Sequence, residues 1–242
     1  MLDLHCHIAP GLDDGAQDVR QSLEMARGLA ELGFRQVAAT PHLPWGSLFT
    51  DPVEFLAVLN SRLEQLRGRD CPVQLLAGAE HFSDVVPLLL EKHRPVCYPG
   101  TDNFLMELPL SGFPARLPDL LFRIEVRGLH PLLAHVERYP QVQQDIAAVD
   151  MFHARGGAVL INLTGLAGDW GREAQKTCER LLRAGKVDAV TSDLHSPEQL
   201  ESVARGLQLL EELVGEQERR RLCRQVPRQL AGLDPAEKQV ER

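Results

Sequence analysis

The sequence lacks the cysteine arrangements of a disulfide-bonded protein. Its five cysteines are odd in number and widely scattered, and none forms a C-x-x-C pair. Such thiols are typical of proteins in a reducing compartment. No cysteine is followed by arginine six positions later, which excludes the C-x5-R signature of a thiol phosphatase. We therefore expect reduced thiols and no cysteine nucleophile of that type.

Long apolar runs are also missing, because charged or turn residues interrupt every run before it reaches membrane-spanning length. A secretion signal has a basic segment followed by an apolar one, and the N-terminus has neither. We expect a soluble, cytoplasmic protein without membrane insertion. The formal net charge of −8 gives no general electrostatic support for binding nucleic acid.

Three catalytic signatures are absent as well. The sequence contains neither a G-x-S-x-G nucleophile elbow nor a P-loop. A carbamylated-lysine amidohydrolase needs a lysine at a strand end, and no lysine stands at the end of a predicted strand. The four lysines are Lys92, Lys176, Lys186 and Lys238.

The composition is that of an ordinary globular protein with a sizeable core. Of the 242 residues, 44% are hydrophobic and 25% are charged. No linker or low-complexity run divides the chain, and α/β barrels routinely use this length as one domain. We predict a single domain over 1–233 and a disordered tail over 234–242.

Short apolar runs of strand length alternate with segments of helical periodicity, which predicts a mostly parallel sheet. Seven strands with covering helices suit a closed or nearly closed barrel better than an open sheet. The predicted strands are Met1–Leu4, Gln36–Thr40, Val73–Ala77, Asn103–Leu108, Pro131–Ala134, Ala158–Leu163 and Val187–Thr191. Helices are predicted from Val19 to a stop at Gly33, from the Asp51-Pro52 cap onward, and over 83–93, 115–127, 141–155, 171–185, 198–214 and 216–225.

Polar residues interrupt this pattern at the strand ends, which in an α/β barrel converge on one mouth. Each predicted strand finishes on a metal-ligand type of residue or an amide. The residues are His5, His7, His42, Glu80, Glu107, His135, Asn162, Asp193 and His195.

Spacing strengthens the interpretation. Side chains alternate along a strand, so His5 and His7 share one face and Cys6 points away. The same argument pairs Asp193 with His195. Each residue alone has an ordinary alternative: Asp193, for instance, can cap the next helix. Seven coincidences at seven strand ends are harder to accept. The other histidines, for which we expect surface or packing roles, are His81, His93, His130 and His153.

The candidate donors are imidazoles and carboxylates, which suit Mn²⁺, Fe²⁺, Zn²⁺ or Mg²⁺ and disfavour a thiolate zinc site. They are too many for one ion, so we predict two or three. Ions about 3.5–4 Å apart activate water and clamp the attacking and leaving oxygens of an in-line displacement, as phosphoester hydrolysis requires. Arg138, in H-V-E-R-Y, can grip phosphate oxygens bidentately or pair with Glu137 on the surface.

These motifs resemble those of the polymerase-and-histidinol-phosphatase (PHP) superfamily, and most closely the bacterial capsule-locus protein-tyrosine phosphatases of the CpsB and YwqE type. The resemblance runs in order over about residues 1–200. It rests on D-L-H-C-H-I-A-P-G-L-D-D-G-A, A-T-P-H, G-A-E, M-E-L, A-H-V-E-R-Y, I-N-L-T-G-L-A-G and S-D-L-H.

The resemblance implies a distorted (β/α)7 TIM-like barrel, the PHP fold, with a trinuclear centre that commonly uses manganese. The implied activity is hydrolysis of phosphotyrosine, typically on a cognate bacterial tyrosine kinase of capsule or exopolysaccharide biosynthesis. The implied ligand sets are His5, His7, Glu80 and Asp193 for one metal, Glu80, Glu107 and His135 for a second, and Asp14, His42 and His195 for a third. The candidate catalytic residues are Arg138, His42 and His195. Asp13, which precedes Asp14 in D-D-G, is expected to be a turn former.

Two features leave substrate contacts open. His195 is followed by S-P-E-Q-L, where many relatives have asparagine and an arginine-containing loop. Trp45 is a candidate wall for a tyrosine ring beside Arg138, although packing within its own loop explains it equally well, and Trp170 carries the same ambiguity. A small-molecule phosphomonoesterase such as histidinol phosphatase, a TatD-like DNase and a non-catalytic metal-binding domain remain alternatives. The oligomeric state stays open.

Overall fold

The computed structural model describes residues 1–44 and 51–233. The predicted tail over 234–242 and the candidate Trp45 lie outside the described residues. Each of the seven predicted runs coincides with a strand, although the bounds differ by a few residues. The strands are β1 (Leu2–Cys6), β2 (Gln36–Ala39), β3 (Gln74–Ala77), β4 (Glu80–Phe82), β5 (Asn103–Glu107), β6 (His130–Leu133), β7 (Ala158–Asn162) and β8 (Ala189–Thr191).

The helices alternate with the strands and cover the outside of the sheet. They are α1 (Val19–Glu31), α2 (Pro52–Arg67), α3 (Val86–Lys92), α4 (Leu117–Val126), α5 (Pro140–Gln144), α6 (Asp150–His153), α7 (Leu163–Ala167), α8 (Arg172–Arg183), α9 (Leu200–Arg220) and α10 (Val226–Leu230). Asp51 caps α2 as predicted, because its carboxylate accepts a hydrogen bond from the N–H of Val53 at 2.8 Å. No helix within the described ranges is long and apolar enough to cross a membrane.

The predicted barrel is confirmed, and all neighbouring strands pair in parallel in the orders β1-β2-β3 and β4-β5-β6-β7-β8. The first strand and the segment after the last strand meet where the backbones of Cys6 and Leu194 pair in parallel. There the N–H of His7 donates to the carbonyl of Leu194 at 3.0 Å, and the N–H of Asp193 donates to that of His5 at 2.9 Å. The C-terminal ends of β1 and β8, which carry the two period-two pairs, therefore lie side by side.

The expectation that Glu80 ends the third strand is wrong, because Glu80 begins the separate strand β4. The chain pairs with β2 through Ala77, and β4 then pairs with β5. At the break, a Cβ on Gly78 would lie 3.0 Å from the Thr40 side chain, so glycine allows the close approach. An isolated bridge between His42 and Glu80 keeps the two halves in register.

Two helix predictions also need correction. The predicted helix over 141–155 is broken, because Asp145 is extended (φ −140°) and its side chain caps a new turn at Ala147. The sequence reading missed the short helix α7, which directly follows Asn162. Gly215, with φ +79°, interrupts α9 close to the predicted boundary between two helical segments.

The core has two layers, one inside the barrel and one between the strands and the helices. Leu2 and Leu4 belong to the inner layer, whereas Cys6 belongs to the outer one. The register between β1 and β2 shifts between Asp3 and Cys6. Cys6 points away from the histidines that flank it, as predicted, and all five cysteines are free thiols.

His81 has the packing role expected of it, since it joins β4 to its surroundings. It is fully buried; its Nδ1 lies 2.8 Å from the carbonyl of Leu105, and its Nε2 accepts from the N–H of Val96 at 3.0 Å. Burial lowers the pKa of His81 to about 4, so the ring is neutral and Nδ1 donates to Leu105.

Replacing His81 with leucine is expected to lower the free energy of unfolding by about 2–4 kcal/mol, because a buried N–H and a buried carbonyl lose their partners. Denaturant titration of both proteins measures the difference. His153→Leu is the matched control: His153 is a third exposed and pairs with Asp188 at 2.8 Å, so it should cost less. Equal losses in the two variants would contradict the role assigned to His81.

Candidate metal centre

The structure brings the nine predicted ligand residues together at the mouth of the barrel. They come from every part of the chain, as the alternation of strands and helices requires. Five of them expose 2% or less of their surface to solvent, namely His5, His7, Glu80, His135 and Asp193. The other four are Asp14, His42, Glu107 and His195, and of these Asp14 is the most exposed, with 69% of its side chain accessible.

Glu80 is the centre of the buried part. Its Oε2 lies 3.2 Å from Nε2 of His5, 3.4 Å from Nε2 of His7 and 3.2 Å from Nδ1 of His42. Its Oε1 lies 3.1 Å from Nε2 of His135. Both oxygens of one carboxylate thus face imidazoles from separate parts of the chain, as a bridging ligand would.

Two further carboxylates complete this layer. Asp193 Oδ1 lies 3.2 Å from Nε2 of His5 and 3.4 Å from Nε2 of His7. Glu107 reaches the other side, where its Oε1 is 3.3 Å from Nδ1 of His42 and its Oε2 is 3.6 Å from Nε2 of His135.

The outer part of the cluster faces solvent. Asp14 Oδ1 lies 3.6 Å from Nε2 of His195 and 3.9 Å from Nε2 of His42. Nδ1 of His195 is 2.9 Å from the carbonyl of Asp193, and Nε2 is the ring nitrogen that faces Asp14.

Eight of the nine residues fall into three groups in which the ligand atoms lie within 4.8 Å of one another, and His135 is in none of them. These groups are His5 with His7 and Asp193, His42 with Glu80 and Glu107, and His7 with Asp14, His42 and His195. They overlap the three sets implied by resemblance, with His7 and His42 each shared between two groups. The assignment of residues to individual ions stays a prediction.

The donor set fits divalent metal ions. Nδ1 of His42 and Oε1 of Glu107 face each other while buried, and neither has a hydrogen-bond partner among the described residues. Nδ1 of His5 is also buried without a hydrogen-bond partner among the described residues. Buried polar atoms without partners are rare in proteins. Imidazole nitrogen and carboxylate oxygen are ligands that Mn²⁺, Fe²⁺ and Zn²⁺ accept.

The carboxylates differ in their affinity for protons. Burial would raise the pKa of Glu80, but the charge of His5 and hydrogen bonds from the surrounding histidines hold it well below its ordinary range. The pKa of Asp193 is lowered for the same reason, despite its burial. Burial, reinforced by the charge of Glu80, raises the pKa of Glu107 to about 8. Glu80 and Asp193 are therefore the carboxylates that stay ionised most readily, and Glu107 is the one that most readily takes up a proton.

Two ligand candidates have a strained backbone. His135 has φ +37° and Asp193 has φ +50°, and Asp70 is the third non-glycine residue with positive φ in the described part of the chain. Such conformations cost of order 1–3 kcal/mol and concentrate at functional sites. Asp193 is held there by Asn162, whose Nδ2 donates to its Oδ2 at 2.7 Å.

Sequence reasoning treated Asp13 only as a turn former and missed its second contact. Its Oδ1 accepts from the N–H of Gly15 at 3.0 Å, which is the expected turn. Its Oδ2 lies 2.6 Å from Nδ1 of His7 and accepts from the N–H of His42 at 3.0 Å. One carboxylate thus orients histidines that belong to two different strand ends, and Nε2 of His7 is the ring nitrogen that a metal ion could bind. The doubled aspartate of D-D-G was the available signal.

Replacing Asp13 with asparagine is expected to weaken metal binding about 10–100-fold, because His7 loses the acceptor that fixes its tautomer. Titration of the metal-free protein with Mn²⁺ in a calorimeter gives the affinity. Asp18→Asn changes a carboxylate that caps α1 away from the cluster and serves as the control. Unchanged affinity in Asp13→Asn would show that Asp13 serves only the turn.

Arg138 does not pair with the neighbouring Glu137. Its guanidinium lies 4.1 Å from the centroid of the Trp170 ring, a cation–π contact. Glu137 is fully buried and accepts from the N–H of Asn162 at 3.3 Å. Arg138 therefore faces the cavity side, whereas Glu137 packs in the interior. Trp170, and not Trp45, is the tryptophan that the structure describes beside the cluster.

A cavity of about 290 Å³ opens above the cluster. Metal-ligand candidates form its floor, and Arg138 and Trp170 line it together with Phe82 and Leu110. Donors for cations at the floor and a guanidinium in the wall suit an anionic ester more than a neutral one.

A parallel α/β barrel with a histidine–carboxylate cluster at its C-terminal mouth defines the class of metal-dependent barrel hydrolases. A family model described as capsular polysaccharide synthesis, CpsB/CapC, matches residues 1–231. The chain belongs to the CpsB/CapC family.

Curated relatives and solved structures agree with this membership. Tyrosine-protein phosphatase YwqE of Bacillus subtilis (strain 168) is 30% identical over 197 residues, which are 81% of this chain and 78% of that protein. Tyrosine-protein phosphatase CpsB of Streptococcus agalactiae serotype III (strain NEM316) is 26% identical over 204 residues, covering 81% of this chain and 83% of that one.

The crystal structures of YwqE from Bacillus subtilis and CpsB from Streptococcus pneumoniae are described as those of unique metal-dependent tyrosine phosphatases. One chain among them matches this structure with a TM-score of 0.85 and 28% identity, covering 97% of this chain and 96% of that one. The lactonase Lmo2620 from Listeria monocytogenes matches with a TM-score of 0.61 and 10% identity, covering 97% of this chain and 95% of that one, and supports the fold alone.

Proposed function

We propose that this protein is a metal-dependent protein-tyrosine phosphatase that hydrolyses phosphotyrosine monoesters. The observation that carries the proposal is the Glu80-centred cluster beneath a cavity that also presents Arg138. Membership of the CpsB/CapC family and the names of the relatives YwqE and CpsB support the same activity.

In this proposal the nine clustered residues hold two or three divalent ions, with manganese as the expected metal. When bound, these ions would activate water for attack on phosphorus and stabilise the charge that develops on the oxygens. The nine residues are His5, His7, Asp14, His42, Glu80, Glu107, His135, Asp193 and His195.

The chain's own groups then bind and orient the ester. The Arg138 guanidinium grips phosphoryl oxygens through two parallel N–H donors, and its contact with Trp170 holds it toward the cavity. His42 and His195 stand at the solvent side of the cluster, each about a quarter exposed, where a phosphoryl group would enter. Water attacks phosphorus in line, the bond to the tyrosine oxygen breaks, and tyrosine leaves with the proton that the water supplies.

We further propose that the substrate is a phosphotyrosine protein, in particular a bacterial tyrosine kinase of polysaccharide biosynthesis. The family description, capsular polysaccharide synthesis, supports this setting.

Phosphate release from a panel of substrates tests the proposed activity. Metal-loaded protein should hydrolyse phosphotyrosine peptides with a kcat/KM at least about 100-fold above that for histidinol phosphate, a difference of about 2.7 kcal/mol in transition-state binding. A preference for histidinol phosphate would make the protein a small-molecule phosphomonoesterase instead. Cleavage of DNA without phosphomonoester hydrolysis would assign it to nucleases, and no turnover of any substrate would leave a metal-binding domain.

A further inference from the structure

An apolar cleft adjoins the metal cavity and has no part in the chemistry described above. Its volume is about 340 Å³, and its walls include Phe82, Leu108, Pro109 and Leu110. It shares Phe82, Leu110 and the edge of Glu107 with the metal cavity. The two spaces are therefore neighbours, and Phe82 and Leu110 form the rim between them. We call this space the Phe82 cleft.

The rim of the Phe82 cleft exposes two large apolar side chains to solvent. Phe82 is 41% exposed and Leu110 is 45% exposed, although both adjoin a cavity built of charged groups. Phe82 is held in place because its ring stacks on His42, with centroids 4.8 Å apart and planes 11° apart. Exposed apolar patches next to a polar site are typical of binding surfaces.

A polar group in the wall also lacks a partner. The Ser83 side chain lines the Phe82 cleft, and its buried Oγ has no hydrogen-bond partner among the described residues. The backbone N–H of Ser83 donates to the carbonyl of Glu107 at 2.9 Å, which fixes this wall to β5. This Oγ is closed to solvent, so a ligand in the Phe82 cleft meets the apolar side chains of its walls and not the hydroxyl.

We propose that the Phe82 cleft binds an apolar side chain from a residue next to the phosphotyrosine of the substrate. The inference rests on the proposed function. With the phosphoryl group over the metal ligands and Arg138, the peptide main chain must leave the cavity across its rim. An apolar neighbour such as leucine then covers Phe82 and Leu110, and the burial of that surface favours such substrates.

Paired peptides test the Phe82 cleft. Two phosphotyrosine peptides differ only in having leucine or serine on both sides of the tyrosine, and para-nitrophenyl phosphate has no neighbour at all. The wild-type protein should show a kcat/KM about 10-fold higher for the leucine peptide. Leu110→Ser should remove that preference, mainly through KM, so that its two kcat/KM values become equal. Because Leu110 also lines the metal cavity, the readout is the ratio of the two peptides within each variant and not the absolute rate.

Leu88→Ser is the matched control, because Leu88 lies on α3 outside both cavities and is 52% exposed. It should keep the 10-fold preference. A wild-type protein that hydrolyses both peptides equally would overturn the cleft proposal and leave the phosphatase proposal standing. Failure to hydrolyse either peptide or para-nitrophenyl phosphate would instead refute the proposed function itself, and the cleft proposal with it.

Discussion

Glu80→Gln is expected to lower kcat for phosphotyrosine hydrolysis by about 10³-fold or more, a loss of roughly 4 kcal/mol of transition-state stabilisation. Both carboxylate oxygens of Glu80 face imidazole nitrogens, at 3.1–3.4 Å. Glutamine keeps the shape but removes the charge and presents an amide N–H₂ where one of these oxygens stands. Bound metal should fall together with activity, and both are measured on the same preparation.

Glu24→Gln provides the control for this substitution. Glu24 lies on the exposed side of α1, where its carboxylate pairs with Arg20 at 3.0 Å. It is not one of the residues of the cluster. Its replacement should leave metal content and kcat as in the wild type. Full activity with normal metal content in Glu80→Gln would refute the proposed role of Glu80 in holding the metal ions.

Replacing Arg138 with methionine should lower kcat/KM for phosphotyrosine by about 10²–10³-fold, as loss of one preorganised charged donor does. Methionine keeps much of the apolar contact with Trp170 but cannot bind phosphoryl oxygens. Metal content should not change, because Arg138 contacts Trp170 and is in none of the metal-ligand groups. Steady-state kinetics and elemental analysis together separate the two effects.

Arg138→Lys refines this test. Lysine restores the charge but not the two parallel donors, so its kcat/KM should fall between that of the wild type and that of Arg138→Met. Arg123→Met, on the exposed face of α4, controls for the loss of a surface charge. If Arg138→Met retains wild-type kcat/KM, the guanidinium has no role in binding the phosphoryl group.

The location of the site could be predicted because barrel geometry is a strong constraint. Once strands alternate with helices, residues at the C-terminal strand ends must converge, however far apart they stand in the sequence. That reasoning placed His5, His7, Asp193 and His195 at one mouth of the barrel without any distance information. The closure of the barrel between β1 and β8 then joins the two period-two pairs.

Contacts that depend on loops could not be predicted in this way. Asp13 orients His7 and His42 through the fold of the segment after β1, and nothing in its neighbours distinguishes it from Asp14. Trp170 reaches Arg138 because the unpredicted helix α7 follows Asn162 directly. The break before Glu80 depends on a close approach at Gly78, which periodicity does not report.

Metal content measured together with activity shows whether the histidine–carboxylate cluster is a catalytic metal centre. Protein stripped by a chelator should contain less than one ion per chain and release no phosphate from a phosphotyrosine peptide. Re-addition of Mn²⁺ should restore two or three ions per chain and recover hydrolysis in proportion. Vigorous hydrolysis by the stripped protein in the continued presence of EDTA would show that bound metal is not required for the reaction.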